Sequence, residues 1–218
     1  MSLDVLRLNV TWAEAWIREC ARVIAEHRAE LNTLDRAIGD GDHGENLDRG
    51  FQAVVVKLDA LPKGTTPGDV LKLVATTLIS TVGGASGPLV GTAFLKAAVA
   101  VGGASELDVP ALTAMLTAAR DGIVLRGKAA VGDKTMIDAW TPAVDAATLA
   151  AAQEMISPAV LLRLAADAAA EGAVATEPLV AHKGRASYLG ERAIGHRDPG
   201  AESSTLFLRA AAVTAARA

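Results

Sequence analysis

Pairs of a capping residue and a nearby proline punctuate this chain. Thr66-Pro67, Asp108-Val109-Pro110, Ser157-Pro158 and Asp198-Pro199 each set a side-chain oxygen just ahead of a proline. Such pairs open helices. The oxygen accepts a free amide of the first turn, and proline there loses no bond it would otherwise make. Ser86-Gly87-Pro88 opens another helix. Thr11 and Glu14 read as a capping box ahead of Trp16, Ile17, Ala21, Ile24, Leu31 and Leu34, which recur at helical spacing. A second helix is predicted from Gly44 to Ala60. Asp133 is predicted to cap a sixth, with Pro142 inside it as a kink. The total is about eight amphipathic helices. No segment alternates long enough to demand a strand, and neither a repeat nor a long linker divides the chain. The expectation is an all-α single domain over residues 1–218.

Composition agrees. Apolar residues make up 51% of the chain but aromatics only 3%, and Ala and Leu, which favour helices, are plentiful. The net charge of −4 and the lack of a basic block argue against a nucleic-acid partner. A single cysteine, Cys20, excludes an internal disulfide framework and a cysteine zinc site. The N-terminus lacks a basic start and apolar run, so no signal peptide is expected. Leu73 to Leu95 is uncharged and long enough to span a bilayer, but Gly83-Gly84-Ala85-Ser86-Gly87-Pro88 would break a spanning helix. The reading is two buried helices in a soluble, cytoplasmic protein without a membrane partner.

Three motif matches fail on context. Gly39, Gly41 and Gly44 fit GxGxxG, but a helix precedes them where a strand is needed, and two aspartates would repel pyrophosphate. Gly122 to Lys128 fits GxxxxGK, but Ala129 stands where a metal-binding hydroxyl belongs. Asp40-Gly41-Asp42 suggests an EF-hand, yet Phe51 occupies the position of the terminal glutamate.

Three stretches remain. Asp35, Asp40 and Asp42 crowd the end of one helix, where their charges repel one another and oppose the helix dipole. Divalent cations such as magnesium relieve this best; the other reading is a solvated acidic turn. His43 reads either as a cap or solvent contact, or as an anion contact. Gly83 to Gly87 ahead of a helix offers free amides to an anion, or simply lets two helices pack closely. The third stretch carries Lys183, Arg185, Arg192, His196 and Arg197, which suit phosphates or a solvated loop. Together they are the parts a magnesium–nucleotide site needs.

Four blocks also resemble a known family. Leu34-Asp35-Arg36-Ala37-Ile38-Gly39-Asp40-Gly41-Asp42-His43-Gly44 is similar to the signature of the L subunit of dihydroxyacetone kinase, the DhaL family. So are Val82 to Thr92, Arg126-Gly127-Lys128 through Gly132-Asp133-Lys134-Thr135-Met136, and Lys183 to Arg192 continuing to Ala201. The resemblance implies an antiparallel barrel of eight helices with ADP or ATP at one end, bound through two magnesium ions. It implies Asp35, Asp40 and Asp42 as metal ligands. It implies nucleotide contacts at His43, Gly44, Asn46, Ala85, Ser86, Gly127, Met136, Arg185, Asp198, Pro199 and Gly200. No residue is assigned as a catalytic nucleophile. The acceptor, dihydroxyacetone, is expected on a separate K subunit. In the phosphotransferase-system branch a third subunit rephosphorylates bound ADP; in the other branch free ATP is the donor, often with K and L fused. The lack of a K domain here favours the first. An ATP-exchanging subunit for another small ketose and a nucleotide-binding regulatory module are the alternatives.

Overall fold

The computed structural model describes residues 7–218. Its helices are α1 Val10–Ile38, α2 His43–Leu58, α3 Pro67–Thr81, α4 Ser86–Val101, α5 Val109–Gly127, α6 Ile137–Ala151, α7 Pro158–Ala175 and α8 Pro199–Ala215. A 3-10 helix, Arg185–Ala193, precedes α8. Two short strands, β1 Leu8–Asn9 and β2 Glu106–Leu107, pair antiparallel with Leu8 opposite Leu107. The class is all-α, as expected.

The cap-and-proline pairs behave as local chemistry requires. Thr66, Asp108, Ser157 and Asp198 each accept a first-turn amide, from Asp69, Ala111, Val160 and Ala201 respectively. Thr66 and Asp69 complete a reciprocal capping box.

Two expected caps are corrected. Thr11 does not cap α1; Asn9 does, its Oδ1 accepting from the Thr11 amide at 2.9 Å. Asn9 is held extended by pairing with Glu106, which is the backbone an N-cap needs, while Thr11 is already helical. Nor does Asp133 cap the sixth helix. α6 starts at Ile137, and Asp133 accepts from the Ala130 amide in the preceding turn. Lys134 lies between with φ of 60°, a left-handed backbone that a helix cannot continue through.

Each helix packs against its successor, and α8 returns to pack on α1. One hydrophobic core draws on all eight helices. Most helices bury one face, but α8 is buried along nearly its whole circumference, which demands internal polar satisfaction. Its Ser204, Thr205 and Thr214 hydroxyls donate to carbonyls one turn back. Trp16 and Trp12 on α1 stack at 5.2 Å and donate their indole N–H groups to the Phe207 and Ala211 carbonyls of α8. Those bonds satisfy polar atoms that burial would otherwise leave without partners.

The stretch Leu73 to Leu95 divides into the end of α3, a turn and the start of α4. Among the described residues no helix is long and apolar enough to cross a membrane.

Where α6 and α7 cross, Gly172 lies against the Asp138 backbone, and an added Cβ would overlap the Asp138 carbonyl oxygen. Backbone cannot yield as a flexible side chain can. Gly172→Ala is therefore expected to destabilise the protein by about 1–3 kcal/mol. The check is the urea unfolding midpoint; a value equal to wild type would contradict this crossing.

Candidate functional site

The acidic loop is shaped by one carboxylate. Asp35, in the last turn of α1 and 9% exposed, accepts through Oδ2 from the amides of Gly41, Asp42 and His43 at 2.8, 2.9 and 3.2 Å. Gly41 has φ of 81°, which lets the chain double back so that successive amides point at one oxygen. The turn leaves Asp40 and Asp42 exposed beside Asp35, with one carboxylate oxygen from each of the three within 4.8 Å of the others. Such a set of hard oxygen donors suits magnesium. Burial pushes the Asp35 carboxyl above its ordinary pKa. The three amides oppose that shift, and the neighbouring Asp40 charge adds to it.

These aspartates form one wall of a cavity of about 540 Å³. The connections α1–α2, α3–α4, α5–α6 and α7–α8 all reach it, so the N-termini of α2, α4, α6 and α8 gather at one end of the fold. A contrast in capping follows. α1, α3, α5 and α7 begin elsewhere, and each carries a capping side chain. Of the four that begin at the cavity, only α8 is capped by its own N-cap side chain; Asp35 and Asn32 of α1 accept the His43 and Glu45 amides of α2, Thr135 accepts the Ile137 amide of α6, and α4 has no capping side chain among the described residues. The positive dipole ends of these helices, with the uncapped first turn of α4, face the cavity, an arrangement that attracts anions. The opposite side is apolar, with Leu89, Ile123, Met136 and Ile137.

Twelve of the fourteen expected site residues line this cavity: Asp35, Asp40, Asp42, His43, Ala85, Ser86, Gly127, Met136, Arg185, Asp198, Pro199 and Gly200. Gly44 and Asn46 do not. Gly44 is in close contact with the Arg28 carbonyl of α1, where no side chain fits. Asn46 is buried and accepts from Arg49 at 2.5 Å, beside Gly83. Both lie in the first turn of α2, next to the cavity-lining His43 and, for Asn46, Gly83.

Arg185 pairs with Asp40 at 2.9 Å while remaining largely exposed. His43 is buried, so its solvent-contact reading is corrected. Its Nε2 lies 2.9 Å from the Ser203 hydroxyl, and its ring also hydrogen-bonds the Pro199 backbone. Burial drives its pKa down to about 4, although Asp42 and Asp40 pull it upward. Asp198 caps α8 at 2.7 Å from the Ala201 amide. Burial raises its pKa to about 7; the Ala201 amide and Lys134 oppose this, while Asp138 and Asp35 reinforce it.

Sequence reasoning gave no role to Lys134 or Asp138. Asp138 accepts from the Gly132 and Thr135 amides at 2.5 and 2.7 Å and holds the loop entering α6. The only signal for either was their place in or beside the Gly132–Met136 block.

Comparison with known proteins fits this geometry. Residues 37–213 match the family model described as DAK2 domain. The chain is 43% identical over 210 residues to the "PEP-dependent dihydroxyacetone kinase, ADP-binding subunit DhaL" of Escherichia coli K12, covering 96% of this chain and 99% of that protein. The chain belongs to the DhaL group of the DAK2-domain family. A DhaL relative from Listeria innocua is 42% identical and matches 91% of this chain and 93% of its own length. The crystal structure of the dihydroxyacetone kinase from C. freundii in complex with AMP-PNP and Mg2+ superposes with a TM-score of 0.67 at 25% identity. That match covers 98% of this chain but 36% of the C. freundii chain, so the DhaL-like part is about a third of that kinase.

The shifted pKa values of His43 and Asp198 have opposite consequences. His43 protonates near pH 4 in the fold but near 6.5 when unfolded, so its contribution is present above pH 6.5 and lost on the way to pH 4. Asp198 protonates near 7 in the fold and near 3.8 unfolded, so its contribution is present below pH 3.8 and lost as pH rises to 7. The two windows overlap and largely cancel in Tm. In protein without metal or nucleotide, the His43 imidazole resonances should therefore stay unchanged from about pH 8 to 5 by NMR, as burial dictates. A titration midpoint near 6.5 would contradict that environment.

Proposed function

We propose that this chain is the nucleotide-binding subunit of a dihydroxyacetone kinase. It holds ADP or ATP with two magnesium ions and passes the γ-phosphoryl group to dihydroxyacetone carried by a separate K subunit. The carrying observation is the cavity itself, where three clustered carboxylates face the gathered N-termini of α2, α4, α6 and α8, with the first turn of α4 uncapped. Carboxylates alone would repel phosphates. Amide-rich helix ends alone would not explain the acid cluster. A metal-bound polyphosphate satisfies both at once.

Asp35, Asp40 and Asp42 would hold the metal, which neutralises phosphate oxygens when bound. Asp35 has Oδ1 available, since Oδ2 is committed to the loop amides. Ala85 and Ser86 at the start of α4 and Gly200 in the turn into α8 offer amides to phosphates. Arg185 supplies a bidentate cation. Leu89, Ile123 and Met136 form an apolar seat for a flat base beside Gly127. The acceptor and its activating group belong to the partner. The phosphotransferase-system branch is supported by the 43% identity to a PEP-dependent subunit along its whole length. A second partner then regenerates ATP on the bound nucleotide. A soluble cytoplasmic protein accords with this role.

The decisive experiment mixes the purified chain with a K subunit and the phosphoryl-donor subunits. Turnover should require all of them. Full turnover with ATP and the K subunit alone would overturn the branch assignment.

Two substitutions test the site. Asp40→Asn should weaken magnesium-dependent ADP binding by at least about tenfold, the scale of altering a metal's surroundings, with helix content unchanged by circular dichroism. Equal affinity by calorimetry would count against the metal role. Arg185→Ala should weaken nucleotide binding yet shift Tm by no more than about 2–4 °C, because an exposed ion pair contributes little to stability. A larger loss of Tm would mark Arg185 as structural.

A further inference from the structure

Lys134 is the most thoroughly enclosed cation in the described structure, at 1% exposure. Its backbone is left-handed, with φ of 60°, a conformation uncommon outside glycine. Its ammonium donates to the carbonyls of Thr176 at 2.6 Å, Glu177 at 3.4 Å and His196 at 2.5 Å. Thr176 and Glu177 follow directly on α7, where helix carbonyls lack intrahelical partners and the dipole is negative. His196 lies two residues before Asp198. One ammonium therefore joins the loop entering α6, the end of α7 and the turn into α8.

Neighbouring bonds converge on the same turn. The Asp198 amide donates to the Thr176 hydroxyl at 3.0 Å, and the Gly195 amide donates to the Glu177 carbonyl at 2.8 Å. Arg197 bridges Glu177 and Glu202 nearer the surface. Of these two cations, Lys134 acts through backbone and Arg197 through carboxylates, so only Lys134 fixes where the main chain runs. Burying an ammonium is unfavourable unless its donors are all used, and here three carbonyls use them.

We infer that Lys134 is a positioning residue whose ammonium fixes the Asp198–Gly200 backbone, and with it the N-terminus of α8, against the nucleotide cavity. The inference rests on the nucleotide reading of that cavity. Lys134 itself need not touch the nucleotide. It sets the direction in which the α8 amides and dipole point.

The test compares Lys134→Met, which keeps length but removes every donor, with Leu112→Ala. Leu112 is fully buried in α5, fifteen residues from the cavity-lining Gly127 and so about 22 Å along the helix. Three quantities are measured for each: Tm, the Kd for ADP with magnesium, and amide exchange at Ala201 and Glu202. Both variants should lower Tm. Only Lys134→Met should accelerate exchange at those amides and raise Kd, by roughly tenfold to a hundredfold, as loss of a supporting group around a site does. Equal effects of the two variants on Kd, or unchanged exchange and Kd in Lys134→Met, would overturn the inference. If wild type binds no ADP, the nucleotide reading fails, and the exchange comparison alone decides whether Lys134 fixes the turn. Should Lys134→Met not fold, Lys134→Gln retains two of the three N–H donors on a shorter side chain and is expected to show an intermediate Kd; wild-type affinity there would also overturn it.

Discussion

The site depends on the Asp35 carboxylate accepting three consecutive backbone amides. Those bonds turn the chain at the end of α1 so tightly that Asp40 and Asp42 come back beside Asp35. Each amide favours the charged carboxylate, while burial and Asp40 disfavour it, and burial is the strongest single influence. The loop thus gathers three acids where an unsupported chain would spread them apart. That crowding is tolerable only beside positive charge, and Arg185 together with the helix ends provides what the protein itself can supply.

The helix ends follow from chain order. Because each helix packs on the next and α8 closes on α1, every second connection comes to the same end. Alternate helices start there; α2 draws its amide acceptors from α1 and α6 from Thr135 just before it, while α4 has no capping side chain. Helices that start elsewhere need local oxygen acceptors for their first amides, and Asn9, Thr66, Asp108 and Ser157 supply them. α8 is the exception: Asp198 caps it from within the cavity wall.

Legibility in the sequence divided along the same line. Caps such as Thr66 and Ser157 depend on bonds spanning three residues, so local pattern revealed them. The acid cluster was legible because its crowding is itself local. The β1–β2 pair was not, since two residues carry no alternation and its partner lies about a hundred residues away. Gly44 and Asn46, expected at the site by resemblance, are the two of the fourteen expected residues that do not line the cavity. Only the placement of α2 against α1 shows that Gly44 is small to admit the Arg28 carbonyl. Lys134 escaped notice for two reasons. Lysine gives no warning of a left-handed backbone, and its carbonyl partners are 42 to 62 residues distant.

Two cations beside the cavity show how environment separates support from exchange. Lys134 is enclosed, and its three carbonyl partners cannot be replaced by water without opening three chain segments together. Moving it would strand a buried charge and several carbonyls, so its bonds persist whatever the cavity holds. Arg185 is 66% exposed and bound to a single carboxylate that is itself partly solvated. Such a pair contributes little to stability, so water can replace it at small loss. A guanidinium fork fits phosphate as readily as carboxylate. A cation arriving at Asp40 would take over the charge balance that Arg185 provides there and release the guanidinium toward an anion in the same cavity. The fold therefore fixes the backbone with the enclosed cation and leaves the exposed one able to exchange partners.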